Sequence, residues 1–250
     1  MTYFKALSNL EDLPSLFPLM YGGLVFHIDL DSIDEGSCEI LHSYLSDADE
    51  LFLNQCIQAG RKKEYLVSHG VLNLLFEQLT GKMSEISIGP YGKPYAKEQT
   101  LHFNISHSHR HIVIAFSTAS EIGIDIEKII YSAELKDVME LFFHENENIF
   151  LSSLSEQDFL HHFYCLWNRK ESVVKATGSS IAFLEKMHEL IHVRDDHYNF
   201  IDHINGVSSP WFIEDFDYMG DFLGSIATQK KISFDYFELN VPKLFSQAVF

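Results

Sequence analysis

Apolar and polar residues recur along this chain with two distinct periods. Over residues 23–30, Leu24, Phe26 and Ile28 oppose Val25 and His27, the period of two that predicts a strand. Between 48 and 78 the apolar positions fall at helical spacing and predict one or two helices. Short strands are predicted near 86–88, 101–106 and 111–117. Ile122, Ile124 and Ile126, with Gly123, Asp125 and Glu127 on the opposite face, predict a further strand that turns its isoleucines to a core. Helices are predicted at about 133–140, 145–154 and 157–176, then strands near 198–201, 211–218, 222–228 and 232–239. Met219-Gly220-Asp221, between two alternating runs, marks a hairpin. No repeat, low-complexity tract or long linker interrupts the series. Periodicity alone therefore predicts an α+β protein with antiparallel sheets.

Composition narrows this picture. A chain of 250 residues, 46% of them hydrophobic, can bury a substantial core as one large domain or two small ones. No apolar run approaches the length of about 18 residues that a membrane span needs. Met1-Thr2-Tyr3-Phe4-Lys5 does not open a charged region followed by an apolar core and a cleavage site, so a cytoplasmic location is predicted, with no membrane partner. Cys38, Cys56 and Cys165 are odd in number and scattered, matching neither a disulfide framework nor a zinc motif and reading as inert or buried thiols. A net charge of −18 argues against nucleic acid, whose backbone needs a concentrated basic surface.

Two strings carry candidate chemistry: Gly123-Ile124-Asp125-Ile126-Glu127, and Trp167-Asn168-Arg169-Lys170-Glu171-Ser172-Val173-Val174-Lys175. Asp125 and Glu127 share one strand face, and Gly123 beside them leaves room for an ion or ligand to approach the backbone. The spacing of Phe163, Leu166, Trp167, Val173 and Val174 suits a helix, which sets Glu171 and Lys175 four apart on one surface. If helix and strand pack together, Asp125, Glu127 and Glu171 form a hard oxygen set of the kind magnesium accepts, and Lys175 and Lys170 remain for phosphate oxygens. Taken singly, each string also reads as an ordinary solvated acidic face or a weak surface ion pair. His107, His109 and His111 would share a face if one strand ran through all three, which leaves a zinc set open beside plain surface histidines.

The two strings together resemble the signature motifs of the 4'-phosphopantetheinyl transferases, approximately G-[IV]-D-[ILV]-E and W-[ST]-x-K-E-[AS]-x-x-K. Gly92-Lys93-Pro94, Phe103-Asn104-Ile105-Ser106-His107-Ser108, Arg61-Lys62-Lys63-Glu64-Tyr65-Leu66 and Leu141-Phe142-Phe143-His144-Glu145-Asn146-Glu147 are similar to further elements of that family, in family order. The resemblance covers roughly residues 61–178 and points to the long, monomeric type. It implies an α+β fold of two pseudo-symmetric lobes, each an antiparallel sheet with packed helices, over residues 1–119 (coenzyme A binding) and 120–250 (metal and carrier binding), with the site in the cleft between them.

It also implies transfer of the phosphopantetheine arm of coenzyme A to a serine of an acyl or peptidyl carrier protein, with release of 3',5'-ADP. Magnesium, or manganese in its place, would sit on Asp125, Glu127 and Glu171. Glu171 and Lys175 would be catalytic, and Arg61, Lys93, Pro94, Ser106, His107, Lys170 and Lys175 would contact coenzyme A, with Glu147 a second candidate base. The chain departs from the pattern at His69 and Asn73, where the family carries arginines, one of them for the 3'-phosphate, and mildly at Asn168. Two other functions stay open: a non-catalytic relative that binds coenzyme A or carrier, and a magnesium-dependent nucleotide pyrophosphohydrolase. Carrier proteins of this kind are themselves acidic, so docking on so acidic a chain is expected to use a local basic or apolar patch.

Overall fold

The computed structural model describes residues 2–13, 22–98, 101–179, 184, 188–202 and 206–246. In chain order the elements are β1 (Lys5–Leu7), β2 (Gly22–Asp29), α1 (Glu35–His42), α2 (Asp47–Gln55), α3 (Ala59–Thr80), β3 (Ile86–Ile88), β4 (Pro94–Ala96), β5 (His102–Ser108), β6 (His111–Ser117) and β7 (Ile122–Lys128). Then come α4 (Leu135–Phe142), α5 (Glu145–Ser152), α6 (Glu156–Thr177), β8 (His188–Arg194), β9 (His197–Asp202), β10 (Val207–Tyr218), β11 (Phe222–Thr228), β12 (Ser233–Leu239) and α7 (Val241–Ser246).

Two five-stranded sheets carry the molecule, ordered β1-β12-β2-β6-β5 and β7-β11-β10-β9-β8, and β3 and β4 form a separate hairpin. The second sheet is antiparallel throughout. The first is mixed rather than wholly antiparallel, because β12 enters between β1 and β2 and pairs with both in parallel. Parallel neighbours need a long crossover rather than a tight turn, and here the crossover is most of the chain. The division expected at 119/120 is corrected in the same way: β12 and α7 place Phe237, Leu239, Val241 and Leu244 in the core of the first lobe.

Alternation along the strands explains the layering. Leu24, Phe26 and Ile28 of β2 and Ile112, Ile114 and Phe116 of β6 pack against the α3 side chains Val71, Leu72, Leu75 and Phe76. The opposite faces supply Val25, Val113 and Ala115, which meet Ile122, Ile124, Ile126, Phe216 and Ile226 of the second sheet in a core shared by the two lobes. Each of the three β7 isoleucines is fully buried, a gain of about 1.5–3 kcal/mol apiece. Their burial fixes the register of β7 and turns Gly123, Asp125 and Glu127 the other way, toward α6.

The helix α6 is the second positioning element. Ser155 caps its start by accepting the Asp158 N–H, and Gly178 ends it in the left-handed conformation at φ 69°. Val173, Val174 and Ala176 pack on the second sheet, and buried Asn168 donates to the Leu223 carbonyl at 2.8 Å. Gly123 lets α6 lie against β7: a Cβ there would stand 1.9 Å from the Ser172 carbonyl oxygen and 2.4 Å from Ala176 N. The space expected to admit an ion or ligand at Gly123 is therefore filled by helix backbone.

Candidate active site between the lobes

β5 and β7 are edge strands of their sheets, and they face each other. An edge strand leaves alternate N–H groups without a ladder partner. Side chains of β5 satisfy those of β7: Ile124 N–H donates to Asn104 Oδ1 at 2.9 Å, Ile126 N–H to Ser106 Oγ at 3.4 Å and Lys128 N–H to Ser108 Oγ at 3.2 Å. The seam thus holds the β7 carboxylates beside the Ser106-His107-Ser108 string.

A cavity of about 470 Å³ opens at this seam, lined by Ser106, His107, Asp125, Glu127, Glu171 and Lys175, with Ile105 and Trp167 as its apolar walls. Asp125 is 4% exposed. Its Oδ1 accepts from Ser106 Oγ at 2.9 Å and from Lys175 Nζ at 2.6 Å, and Lys175 also donates to Ser106 Oγ at 2.9 Å. Among the described residues Asp125 Oδ2 is buried without a hydrogen-bond partner, an orphan acceptor of the kind a cation or a proton donor satisfies. Burial, and then the neighbouring Asp125 charge, push the Glu171 carboxyl up to about 7, with Lys175 opposing. The same two causes raise Glu127. Carboxylates crowded in this way are short of positive charge.

Three carboxylates and an orphan oxygen fit a hard divalent cation in donor chemistry. Among the described residues, however, no group of three or more His, Cys, Asp or Glu already stands in metal-holding geometry. Lys175 occupies Asp125 Oδ1, and Glu127 Oε2 accepts from Ser108 Oγ at 2.7 Å.

Of the other expected site residues, His107 is exposed at the cavity and pairs with Glu64 of α3 at 3.5 Å. Arg61, one helical turn before Glu64, is exposed on α3. Ser106 was expected to donate to a phosphate, but its hydrogen is directed at Asp125. Lys93 and Pro94 line a neighbouring cavity of about 450 Å³ together with Tyr91, Tyr95, His102 and Phe103. The three donors of Lys93 go to Glu121 Oε2 at 2.7 Å, Ala176 O at 2.9 Å and Ile122 O at 3.3 Å. It clamps the end of α6 to the start of β7 and has no hydrogen left for a phosphate.

Lys170 is a correction of the same kind. It is 0% exposed and donates to Glu147 Oε2 at 2.6 Å, His188 O at 2.9 Å and Phe142 O at 3.0 Å. Glu147, the second candidate base, also accepts the N–H groups of His144 and Leu190. The pair is a buried ion bridge that ties α6 to α5, closed off from solvent. His69 and Asn73 are likewise engaged internally, His69 Nδ1 with Asp49 Oδ1 and Asn73 Nδ2 with the Tyr44 carbonyl, each at 2.8 Å.

The three-histidine alternative fails because β5 ends at Ser108. His109 sits in the hairpin turn at φ 56°, and His111 begins β6, where its Nδ1 lies 2.9 Å from Nε2 of fully buried His27. His111 is thus half-buried rather than a plain surface histidine. The residues missed in the sequence are Asn104 and Ser108, whose signal was the alternation of three short polar side chains on a strand next to the carboxylates.

Comparison with known proteins bears on this same stretch. Residues 121–227 match the model of the 4'-phosphopantetheinyl transferase superfamily. Over 119 residues the chain is 40% identical to the 4'-phosphopantetheinyl transferase gsp of Aneurinibacillus migulanus, covering 48% of this chain and 46% of that one. It is 32% identical to the 4'-phosphopantetheinyl transferase AcpT of Escherichia coli K12 over 127 residues, 50% of this chain and 63% of the relative. To the 4'-phosphopantetheinyl transferase Sfp of Bacillus subtilis strain 168 it is 35% identical over 106 residues, 42% and 46% of the two chains. The matches thus span from 46% to 63% of these relatives' length.

Proposed function

We propose that this chain, whose residues 121–227 match the model of the 4'-phosphopantetheinyl transferase superfamily, transfers the phosphopantetheine arm of coenzyme A to a serine hydroxyl of an acyl or peptidyl carrier protein. The serine oxygen bonds to the β-phosphorus of the pyrophosphate, the bond to the bridging oxygen breaks, and 3',5'-ADP leaves. The observation that carries this reading is the convergence of Asp125, Glu127, Glu171 and Lys175 on one cavity between the lobes, with Asp125 Oδ2 unpartnered among the described residues.

Asp125, Glu127 and Glu171 are the residues that would hold magnesium, or manganese. Such an ion neutralises charge building on pyrophosphate oxygens. Lys175, half-buried beside Asp125, is the proposed cation for the oxygens nearest the reacting phosphorus. Glu171 is also the proposed acceptor of the serine proton, as the cavity carboxylate carried on α6 beside Lys175. His107 at the cavity rim is a further phosphate donor. The 3'-phosphate falls to Arg61 on the first turn of α3, the helix whose Glu64 meets His107. Pro94 and the aromatic cavity around it suit the nucleoside end.

No helix among the described residues is long and apolar enough to cross a membrane, and the three cysteines are free. A cytoplasmic setting and action as a monomer are part of the same proposal. The test is intact-protein mass spectrometry of an apo carrier incubated with the chain, coenzyme A and magnesium, with and without a chelator. A mass gain of one phosphopantetheine arm that the chelator blocks is the expected result. No gain across several carrier types with coenzyme A intact would assign a binding role, and no gain with coenzyme A cleaved would assign a hydrolase.

A further inference from the structure

The β5 side chains that seal the seam have a second consequence. Asn104, Ser106 and Ser108 are all buried and lie two apart on one face of the strand. Asn104 accepts the Ile124 N–H at its side-chain carbonyl oxygen. A serine hydroxyl has in addition one hydrogen to give, and each serine gives it to the β7 carboxylate just before the N–H it accepts. Ser106 accepts from Ile126 N–H and donates to Asp125, and Ser108 accepts from Lys128 N–H and donates to Glu127 Oε2 at 2.7 Å. The two carboxylates are not held alike. Asp125 is also bound by Lys175, whereas among the described residues Ser108 is the one hydrogen-bond donor to Glu127.

We infer that Ser108 is a positioning residue: by engaging Oε2 it selects the rotamer of Glu127 that lines the cavity and leaves Oε1 as the oxygen for a divalent cation. Glu127 sits near the open end of β7 and is less enclosed than Asp125, so without this bond its longer side chain would be free to turn to solvent. The inference rests on the reading that Asp125, Glu127 and Glu171 hold a cation. Residues that orient a metal ligand in this way change affinity or activity by about 10- to 100-fold when removed.

The experiment is titration of the full chain with manganese, followed by the electron paramagnetic resonance signal of the free ion, for wild type, Ser108→Ala, Ser108→Thr, Glu127→Gln and the double variant Ser108→Ala/Glu127→Gln. Ser108→Ala should bind manganese about tenfold or more weakly. Ser108→Thr, which keeps the hydroxyl, should recover most of the loss. In the Glu127→Gln background the alanine should cost little more, because the carboxylate it orients has gone. Ser108→Cys, similar in volume but a poor donor, takes the place of Ser108→Ala if the alanine variant does not fold. Binding equal to wild type in Ser108→Ala, or a loss that persists in full in the Glu127→Gln background, would overturn the inference and leave Ser108 as a seam residue only. A wild-type chain that binds no manganese would overturn the metal reading itself, and this inference with it.

Discussion

Lys170 and Lys175 stand five positions apart on α6, and the helix sends one into the body of the second lobe and the other to the cavity. A single turn fraction decides which lysine is structural. Lys170→Met should destabilise the protein by about 3–5 kcal/mol, because it strands Glu147 as a buried, unpaired charge. Folded Lys170→Met should keep its apparent affinity for coenzyme A. Lys175→Met should lower kcat by on the order of 100-fold or more; it also takes the ammonium partner from buried Asp125, and should cost less stability than Lys170→Met because Lys175 itself is only part-buried. Urea denaturation and steady-state kinetics on both variants separate the two roles. Asp125→Ala and Glu171→Ala should abolish transfer while leaving the fold intact, and near-normal activity in either would remove the metal assignment. The sequence separated these residues only in part. Asp125, Glu127, Glu171 and Lys175 were legible because strand and helix periods place them on known faces. Lys93 and Lys170 were not, because a lysine's contacts depend on which carbonyls a distant segment brings within reach: Ala176 for one, His188 for the other.

At the scale of elements, the packing of α6 on β7 hangs on Gly123. Its added methyl would meet the backbone of Ser172 and Ala176, and backbone cannot rotate away as a side chain can. Gly123→Ala should therefore lower stability by about 3 kcal/mol or more, read as a fall in the urea midpoint with an unchanged slope. It should also lower activity in the fraction that folds, since Glu171 and Lys175 travel with the helix. Strands β3, β6 and β11 fall at the bounds that alternation predicts, and α4 to α6 within two residues at each end. The elements that escaped were β1, β4, α1, β8 and α7. Two of these are three-residue strands too short to show a period. α1 carries Gly36, Ser37 and Cys38 where a helix signal would need stronger formers, and it owes its start to Asp34, which accepts the Ser37 N–H.

For the molecule as a whole, the seam between the lobes is both a core and a titrating surface. His27 is fully buried there, its ring 3.8 Å from that of Tyr218 and its Nδ1 without a hydrogen-bond partner among the described residues. Burial, then the neighbouring His111, lower its pKa from 6.5 to about 3. The unfolded chain takes up this proton first as pH falls, so the unfolded state gains and the native state loses. The contribution of His27 should be fully present above about 6.5 and decline by up to about 1.4 kcal/mol per pH unit between 6.5 and 3, while the Glu171 carboxyl, raised from 4.5 to about 7, acts in the opposite sense between those two values. His27→Leu should flatten that slope in a denaturation series across the same range. The net charge of −18 bears on encounter in a different way. Two acidic partners repel at long range, so added salt should raise carrier capture or leave it unchanged, and a steep fall in capture with salt would point to a concentrated basic docking patch instead. The place of β12 at the heart of the first sheet has a consequence for how the protein is made. When residue 120 leaves the ribosome, β1 and β2 have no strand to join them, and more than a hundred further residues must be synthesised before β12 supplies one. The first lobe to be translated is thus among the last to be completed, and its open strand edges need protection from wrong partners during that interval.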